Sequence, residues 1–379
     1  MKAVFAAARQ ELARIFTLKP VFSVMILATA IYALFYPQPY LNEALRDVPV
    51  AVVDRDGTTS SRELARRIEA TSDVAVAMIL PDLPSAERAV HAREVSGILL
   101  IPKDFERDLL HGRSSPIALY ADASYFLNYQ RVSGAVTAVA RAFGAEVEAA
   151  RLIALGIDPA LATAAGDPMP LTAVPLFNPQ GGYATYVLPA AFVLLLQQTL
   201  LMGAGLLGTF SRAGGPLYVG DRLASTAGRL LAYLALQAVI LPVYLIGLPY
   251  LYGVPRLGPA LPILIFAVPF VLAVGSLGLF MASVFRNPLI VQLVCGAIGL
   301  PFFFLAGFAW PAEAIPEPIR LLALLVPSTS AIDGFVRLSQ LGATLSDVQS
   351  QFFVLWGLAF AYAGAAALNV PGTKNAASR

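Results

Sequence analysis

Along the 379-residue chain, long apolar runs and polar stretches alternate in an uneven order. Met1–Leu18 places Val4, Phe5, Ala8, Leu12, Ile15 and Phe16 near one helical face with cations opposite, a pattern that predicts a helix lying in the membrane interface. An uncharged run follows at Pro20–Tyr36, then a polar block of ordinary soluble composition from Glu43 to Asp167. Five more apolar runs come close together at Ala184–Phe210, Leu230–Tyr252, Leu261–Phe285, Leu289–Trp310 and Gln351–Leu368. A hydrocarbon core about 30 Å thick needs about 20 apolar helical residues at about 1.5 Å each. These runs are apolar all round, whereas a buried helix of a soluble protein carries an amphipathic stripe. The pattern predicts an α-helical polytopic membrane protein with six transmembrane helices in a one-plus-five arrangement and an inserted α/β extracytoplasmic domain. The expected divisions are an interfacial helix over 1–19, a first span over 20–36, the inserted domain over 37–183, and a five-span domain over 184–379.

Inside the polar block, Val48–Asp54 reads as a strand closed by the turn Asp54-Arg-Asp-Gly57. Thr58–Ala70 reads as a helix, with Ser60 or Thr59 as its N-cap. Val74–Leu80, Gly97–Ile101 and Pro116–Ala121 read as further strands, separated by helices at Pro84–Arg93 and Lys103–His111. Strands alternating with helices predict a sheet with some parallel pairing. Tyr125–Leu155 reads as one long helix, since Val132, Val136, Val139, Phe143, Val147 and Ala150 repeat at helical spacing. Such a helix either runs back along the sheet or stands beside a partner's copy. Asp158–Gln180, rich in proline and small residues, reads as a connector.

Composition and charge sharpen this reading. Only 13% of residues are charged and the mean hydropathy is +0.70, well below the charge content of about 25% in soluble domains. A cleaved leader would need an apolar core soon after its first charges. Here Lys2, Arg9, Glu11, Arg14 and Lys19 precede the run, and Phe35-Tyr36-Pro37 closes it, so a retained anchor is expected. The positive-inside rule puts Lys2, Arg9, Arg14, Lys19, Arg212, Arg222, Arg229, Arg286, Lys374 and Arg379 in the cytoplasm. Only Arg256, Arg320 and Arg337 then fall on short outer segments. Both termini are expected inside and the polar block outside, in a bacterial inner membrane. The net charge of +2 is explained by this topology and gives no reason to expect nucleic acid. The single cysteine, Cys295, lies within an apolar run, so the inserted domain must fold without a disulfide.

Several chemistries lack their residues. There is no G-x-x-x-x-G-K-[ST] loop for ATP, and no G-x-S-x-G or H-E-x-x-H pattern. Asp54-Arg-Asp-Gly57 lacks the later ligands of an EF-hand loop and reads as a turn. His91 and His111 sit on separate predicted helices without companion cysteines, which does not make a zinc site. The chain is therefore expected to be neither an enzyme nor a holder of metal or cofactor. The spans carry almost no ionisable groups, so a proton relay is absent and a pump would need an outside energy source. Gln197, Gln198, Gln237 and Gln292 are the strongest polar groups at membrane depth. They serve either interhelical hydrogen bonding, at about 0.6–2 kcal/mol, or a polar lining for a substrate path. Ala204/Gly208 and Gly278/Ala282 are spaced for close helix contact.

Three segments together resemble the permease subunit of ABC-2-type (type V) ABC exporters, in the variant with a large periplasmic domain after the first span. They are Phe177-Asn-Pro-Gln-Gly-Gly-Tyr-Ala-Thr-Tyr-Val-Leu-Pro189, Leu305-Ala-Gly-Phe-Ala-Trp-Pro311 with Ile315-Pro-Glu-Pro-Ile319, and Leu325-Val-Pro-Ser-Thr-Ser-Ala-Ile-Asp-Gly-Phe335. The resemblance implies a re-entrant outer segment over 311–350. Ile319–Val326 fits this on its own account, being apolar, bracketed by prolines and too short to cross a bilayer. Where many such permeases carry an acidic E-x-E-x-G-T signature, this chain has Ser211-Arg-Ala-Gly-Gly-Pro-Leu217. Gly228-Arg-Leu-Leu-Ala-Tyr233 still resembles the G-K-x-x-A-Y stretch that leads into the third span.

The resemblance implies a coupling loop over 211–228 where a cytoplasmic ATPase docks, with Arg212, Asp221 and Arg222 as candidate contacts. It implies a gate at Phe308, Trp310 and Pro311, and two permease copies, or one copy and a paralogue, around the path. ATP and Mg would belong to the partner ATPase, and membrane lipid surrounds the whole. More weakly, it implies a periplasmic adaptor and an outer-membrane duct. The expected function is outward movement of an amphiphilic compound such as a drug, a bile-salt-like molecule or a lipid. One rival is a non-transporting scaffold or sensor with a ligand- or partner-binding outer domain, which five clustered spans disfavour. A secondary carrier is disfavoured by the missing carboxylates and inverted repeats.

Overall fold

The computed structural model describes residues 1–41, 45–171, 173–179, 181–210 and 219–369, without the side chains of 219–221 and 312. The chain divides into two compact units, Met1–Glu43 with Pro175–Arg379, and Ala44–Val174.

The first unit opens with helix α1 (Lys2–Thr17), followed by the span α2 (Lys19–Tyr40). The second unit, inserted after this span, holds the sheet. Its elements are β1 (Val48–Asp54), α3 (Thr59–Glu69), β2 (Val74–Ile79), α4 (Leu83–His91), β3 (Gly97–Ile101), α5 (Phe105–Leu110) and β4 (Ala118–Ala121). The long helix α6 (Phe126–Ala154) and the short α7 (Pro159–Gly166) complete it. The strand order is β2-β1-β3-β4. β1 pairs in parallel with β2 (Val48 opposite Val74) and with β3 (Val50 opposite Gly97), and β4 runs antiparallel to β3 (Gly97 opposite Ala121).

β1 is the central strand, and its side chains alternate with the pleat. Val48, Val50 and Val52 join Leu64 and Ile68 of α3 and Val132, Val136 and Phe143 of α6 in one core. Ala51 and Val53 face the opposite side, where they meet Ala86 and Ala89 of α4 and Ile98 of β3. A strand buried on both faces reads as a continuous apolar run, which is what Val48–Val53 is. Asp54 closes the strand by accepting from the amides of Asp56 (3.0 Å) and Gly57 (2.9 Å) in the expected turn, where Gly57 takes φ +62°. The N-cap of α3 is Thr58, whose hydroxyl accepts from the Ser61 amide, and not Thr59 or Ser60. Thr58 is the last residue with extended φ/ψ, and capping requires that backbone geometry. The long helix α6 lies along the sheet, with Val132, Val136 and Phe143 buried, Val139 and Val147 partly so, and Ala150 exposed. The connector expected over Asp158–Gln180 contains α7, because Asp158 caps the amides of Ala160 and Leu161 and Pro159 suits the first helical position.

The membrane unit resumes with α8 (Tyr183–Phe210). Next comes α9, which starts at Val219 and runs through a π-helical turn at Val243–Gly247 to Leu251. The spans α10 (Ala260–Phe285) and α11 (Pro288–Leu305) follow, then the short α12 (Glu317–Ala323) and α13 (Pro327–Ser339), and the last span α14 (Gln349–Leu368). Among the described residues, six helices are long and apolar enough to cross a membrane. α12 and α13 form a bent pair at 84°. The fifth span ends at Leu305, five residues before Trp310, because residues 306–311 turn instead of continuing the helix.

The core of this unit is the pair α8 and α10. Buried residues make up 78% of the most apolar stretch of α8, against 11% for α11. A Cβ on Gly278 would lie 2.7 Å from the Ala204 Cβ, and one on Gly208 would lie 2.5 Å from the Ala282 Cβ. The small residues expected to permit close contact therefore face each other across this interface. α13 seats Phe335 edge-on against Phe266 (5.0 Å) and Phe270 (5.7 Å) of α10.

Candidate functional site

Packed hydrocarbon leaves few polar groups at membrane depth, and their placement singles out two parts of the unit. The first is a cleft of about 250 Å³ between α8 and α11, lined by Ala191, Leu194, Gln197 and Gln198 on one side and Gly296, Gly299, Phe302 and Phe303 on the other, with Tyr36 of α2. Gln198 donates through Nε2 to the Cys295 carbonyl (2.6 Å), so its amide ties the two walls together. Gln197 is buried and donates through Nε2 to Ser328 Oγ (2.9 Å) in the first turn of α13. Its Oε1 has no hydrogen-bond partner among the described residues. A Cβ on Gly296 would meet nothing within 4 Å, so this glycine leaves the cleft wall open.

The four glutamines expected at membrane depth separate here. Gln197 and Gln198 share the cleft. Gln237, on α9, is buried with its Oε1 unpartnered among the described residues and does not line the cleft. Gln292 is exposed on α11 and does not line it either. For Gln197 and Gln198, interhelical bonding and cleft lining hold together.

The bent pair beside the cleft is held at its bend and at its C-terminal end. Tyr362 of α14 donates to the Leu325 carbonyl at the bend (2.7 Å), and Gln340 donates to the Thr185 carbonyl at the start of α8 (2.6 Å). Of the three expected gate residues, Phe308 is half-buried, its ring 4.9 Å from Phe303, and its carbonyl accepts from the Tyr186 hydroxyl. Trp310 and Pro311 are exposed and are not drawn into that cluster. Tyr186 and Ser328 escaped sequence reasoning, although both fall within the segments Phe177–Pro189 and Leu325–Phe335 that carried the resemblance.

The second part is the junction of α1 with α8 and α9. Arg212 lies outside the described residues, as does the side chain of Asp221, while Arg222 lies on the first turn of α9. Residues 219–228, expected within a coupling loop, belong to the helix that becomes the third span. α9 packs there on α1: a Cβ on Gly228 would lie 2.6 Å from both the Ala7 Cβ and the Val4 carbonyl. One turn on, the buried Tyr233 donates its hydroxyl to Glu11 Oε1 (3.0 Å). Val4, Ala8, Leu12 and Ile15 face the protein, as the amphipathic pattern suggests, but Phe5 and Phe16 are exposed. Glu11 sits within the buried stripe, and its spacing to Val4, Ala8 and Ile15 was the signal that could have revealed it.

Six helices long and apolar enough to cross a membrane, among the described residues, make this a polytopic membrane protein. The family model described as "ABC-2 family transporter protein" matches residues 16–368, and the chain belongs to that family. It is also similar to the linearmycin resistance permease protein LnrN of Bacillus subtilis (strain 168), at 24% identity over 377 residues, covering 92% of this chain and 94% of that protein.

Proposed function

We propose that this permease is the membrane subunit of an ATP-driven exporter that moves an amphiphilic compound outward, with a separate cytoplasmic ATPase supplying the energy. The observation that carries the reading is the cleft between α8 and α11, apolar and aromatic apart from two glutamines and Tyr36, within spans nearly free of ionisable groups. Such a cleft suits an amphiphile, and spans without carboxylates or histidines provide no proton relay. The similar protein from Bacillus subtilis is a permease of resistance, and resistance is served by outward movement.

In this reading both termini are cytoplasmic and the sheet domain is periplasmic, in a bacterial inner membrane. The ATPase presses on 211–228, where Arg212, Asp221 and Arg222 are the contacts to test. Two permease copies, or a copy and a paralogue, enclose the path, with Gln197 and Gln198 on its wall and Phe308, Trp310 and Pro311 at its gate. The divisions 1–19, 20–36, 37–183 and 184–379 then correspond to cytoplasmic interfacial helix, anchor, outer domain and transport domain. An adaptor and outer-membrane duct would dock on the outer domain. The test is co-purification of the chain with an ATPase, followed by nucleotide-dependent uptake of a fluorescent amphiphile such as rhodamine 6G into inverted vesicles. Uptake that needs ATP and is lost on disrupting 211–218 supports the exporter. A stable complex without any ATPase overturns it.

A further inference from the structure

We infer that Glu11, Arg14 and Tyr233 form a buried polar lock that makes α1, the end of α8 and the start of α9 move as one body, so that a push on residues 211–218 is shared by both flanking spans. The inference rests on the exporter reading for its energy source. Its geometry stands apart from that reading.

The lock begins with an anomaly in α1. The face that packs against the membrane unit repeats as Val4, Ala8, Glu11 and Ile15, and Glu11 is only 2% exposed. A carboxylate taken out of water is costly unless charge and hydrogen bonds compensate it, and an apolar residue of similar volume would often serve stability as well or better. Glu11 is compensated from two directions. Arg14 Nη1, one turn along α1, lies 3.0 Å from Oε2, and the Tyr233 hydroxyl of α9 lies 3.0 Å from Oε1. Tyr233 is itself fully buried, and a Cβ on Gly275 of α10 would lie 2.9 Å from its ring, so the phenol is held in place.

Arg14 supplies the third link. Its Nη2 lies 3.5 Å from the Leu207 carbonyl in the last turn of α8. The final carbonyls of a helix lack intrahelical partners and carry the negative end of its dipole, which a guanidinium complements. Residues 211–218 leave α8 three residues after Leu207 and join α9 at Val219. One ion pair on α1 therefore reaches both flanks of that segment. The close approach of α1 at Gly228 leaves little slack between the tied helices. A purely apolar contact could slide by a rotamer, whereas a three-way polar contact has one register. Glu11, Arg14 and Tyr233 are positioning residues that act through the helices they join.

The experiment compares wild type with Glu11→Gln, Tyr233→Phe, Arg14→Lys and Leu12→Ala, each purified with its ATPase in lipid nanodiscs. Amide hydrogen exchange is measured over 2–17, 200–210 and 219–235, without nucleotide and after trapping with Mg-ATP and vanadate. Wild type is expected to change protection in all three segments together. Glu11→Gln and Tyr233→Phe are expected to keep the response of 219–235 and reduce that of 2–17 about fivefold or more. Arg14→Lys keeps the charge but cannot hold Glu11 and the Leu207 carbonyl with two separate nitrogens, so it is expected to reduce the response of 200–210. Leu12→Ala loosens packing and spares the lock, so it separates the lock from mere stability. A joint response that survives in Glu11→Gln and Tyr233→Phe overturns the lock and leaves the exporter reading standing, as does a Leu12→Ala pattern identical to theirs. No response of any segment in wild type overturns the exporter reading and, with it, the lock as a coupling device.

Discussion

In the sheet domain Val50 and Val52 of β1 meet Leu64, Ile68 and Phe143 in a core of large side chains. Its ion pairs, such as Arg67 with Glu63 and Glu146, lie at the surface. In the membrane unit α8 and α10 approach each other through residues with almost no side chain, Gly208 and Gly278, and the Glu11–Arg14 pair is buried. The difference follows from the solvent. Water rewards removal of apolar area, at about 25 cal/mol per Å², so the sheet domain gains from bulk. Lipid gives no such reward, and helices associate through close van der Waals approach and hydrogen bonds. Polar groups are accordingly cheap and weak in one unit, rare and specific in the other.

Substitutions can break this comparison at either end. The largest effect on stability is expected from Ile68→Ala, which empties a fully buried site of the sheet domain and should cost about 2–5 kcal/mol. Domain-resolved hydrogen exchange should show the loss in 45–171 with the spans unaffected. Gly278→Val should cost about 1–3 kcal/mol in the membrane unit, because the new side chain meets the Ala204 methyl and the Leu201 backbone. Thermal unfolding in detergent would register it. Thr58→Ala removes the cap of α3 and should cost about 1 kcal/mol, read as a lower denaturation midpoint of the sheet domain.

Gly296→Leu sharpens the contrast with Gly278. Its side chain would enter open space in the cleft, so the unfolding temperature should hold while ATP-dependent uptake of rhodamine 6G falls about tenfold or more. Equal uptake would remove the cleft from the transport path. The smallest effect concerns pH. Burial pushes the Asp56 carboxyl up, but the Thr58 hydroxyl and the amides of Glu106, Phe105 and Asp104 outweigh it and hold the pKa below the ordinary 3.8. A depressed pKa contributes stability that is present above the unfolded value and lost as pH falls through the folded one. Acid unfolding of the sheet domain below 3.8 should therefore be less steep in Asp56→Asn than in wild type.

Much of the architecture was legible in the chain because its signals are local. β1 and β3 fall at the expected residues, since a doubly buried strand is a short apolar run bounded by turn residues. The cap of α3 lies one or two residues before the expected Thr59 or Ser60, because Thr58, Thr59, Ser60 and Ser61 are chemically interchangeable there and only backbone geometry selects one. The helix α7 lies where richness in proline and small residues predicts a connector, because Pro159 stands at a helix start, where proline is favoured. At the candidate site, Gln197 and Gln198 were visible as polar residues in apolar runs. Their separation from Gln237 and Gln292 depends on which helices face one another, and apolar runs without a stripe carry no such information.

The sequence by itself determined how many spans there are, where the sheet domain is inserted and that the spans carry no carboxylate or histidine, since each depends on runs of residue type along one stretch of chain. Only the tertiary structure decided that Glu11 is buried, that Tyr233 and Leu207 meet its ion pair, and that Gly296 opens a cleft while Gly278 closes an interface. Those outcomes depend on contacts between residues as far apart as 11 and 233, and a glutamate or a glycine looks the same in the sequence whichever neighbour packing brings to it.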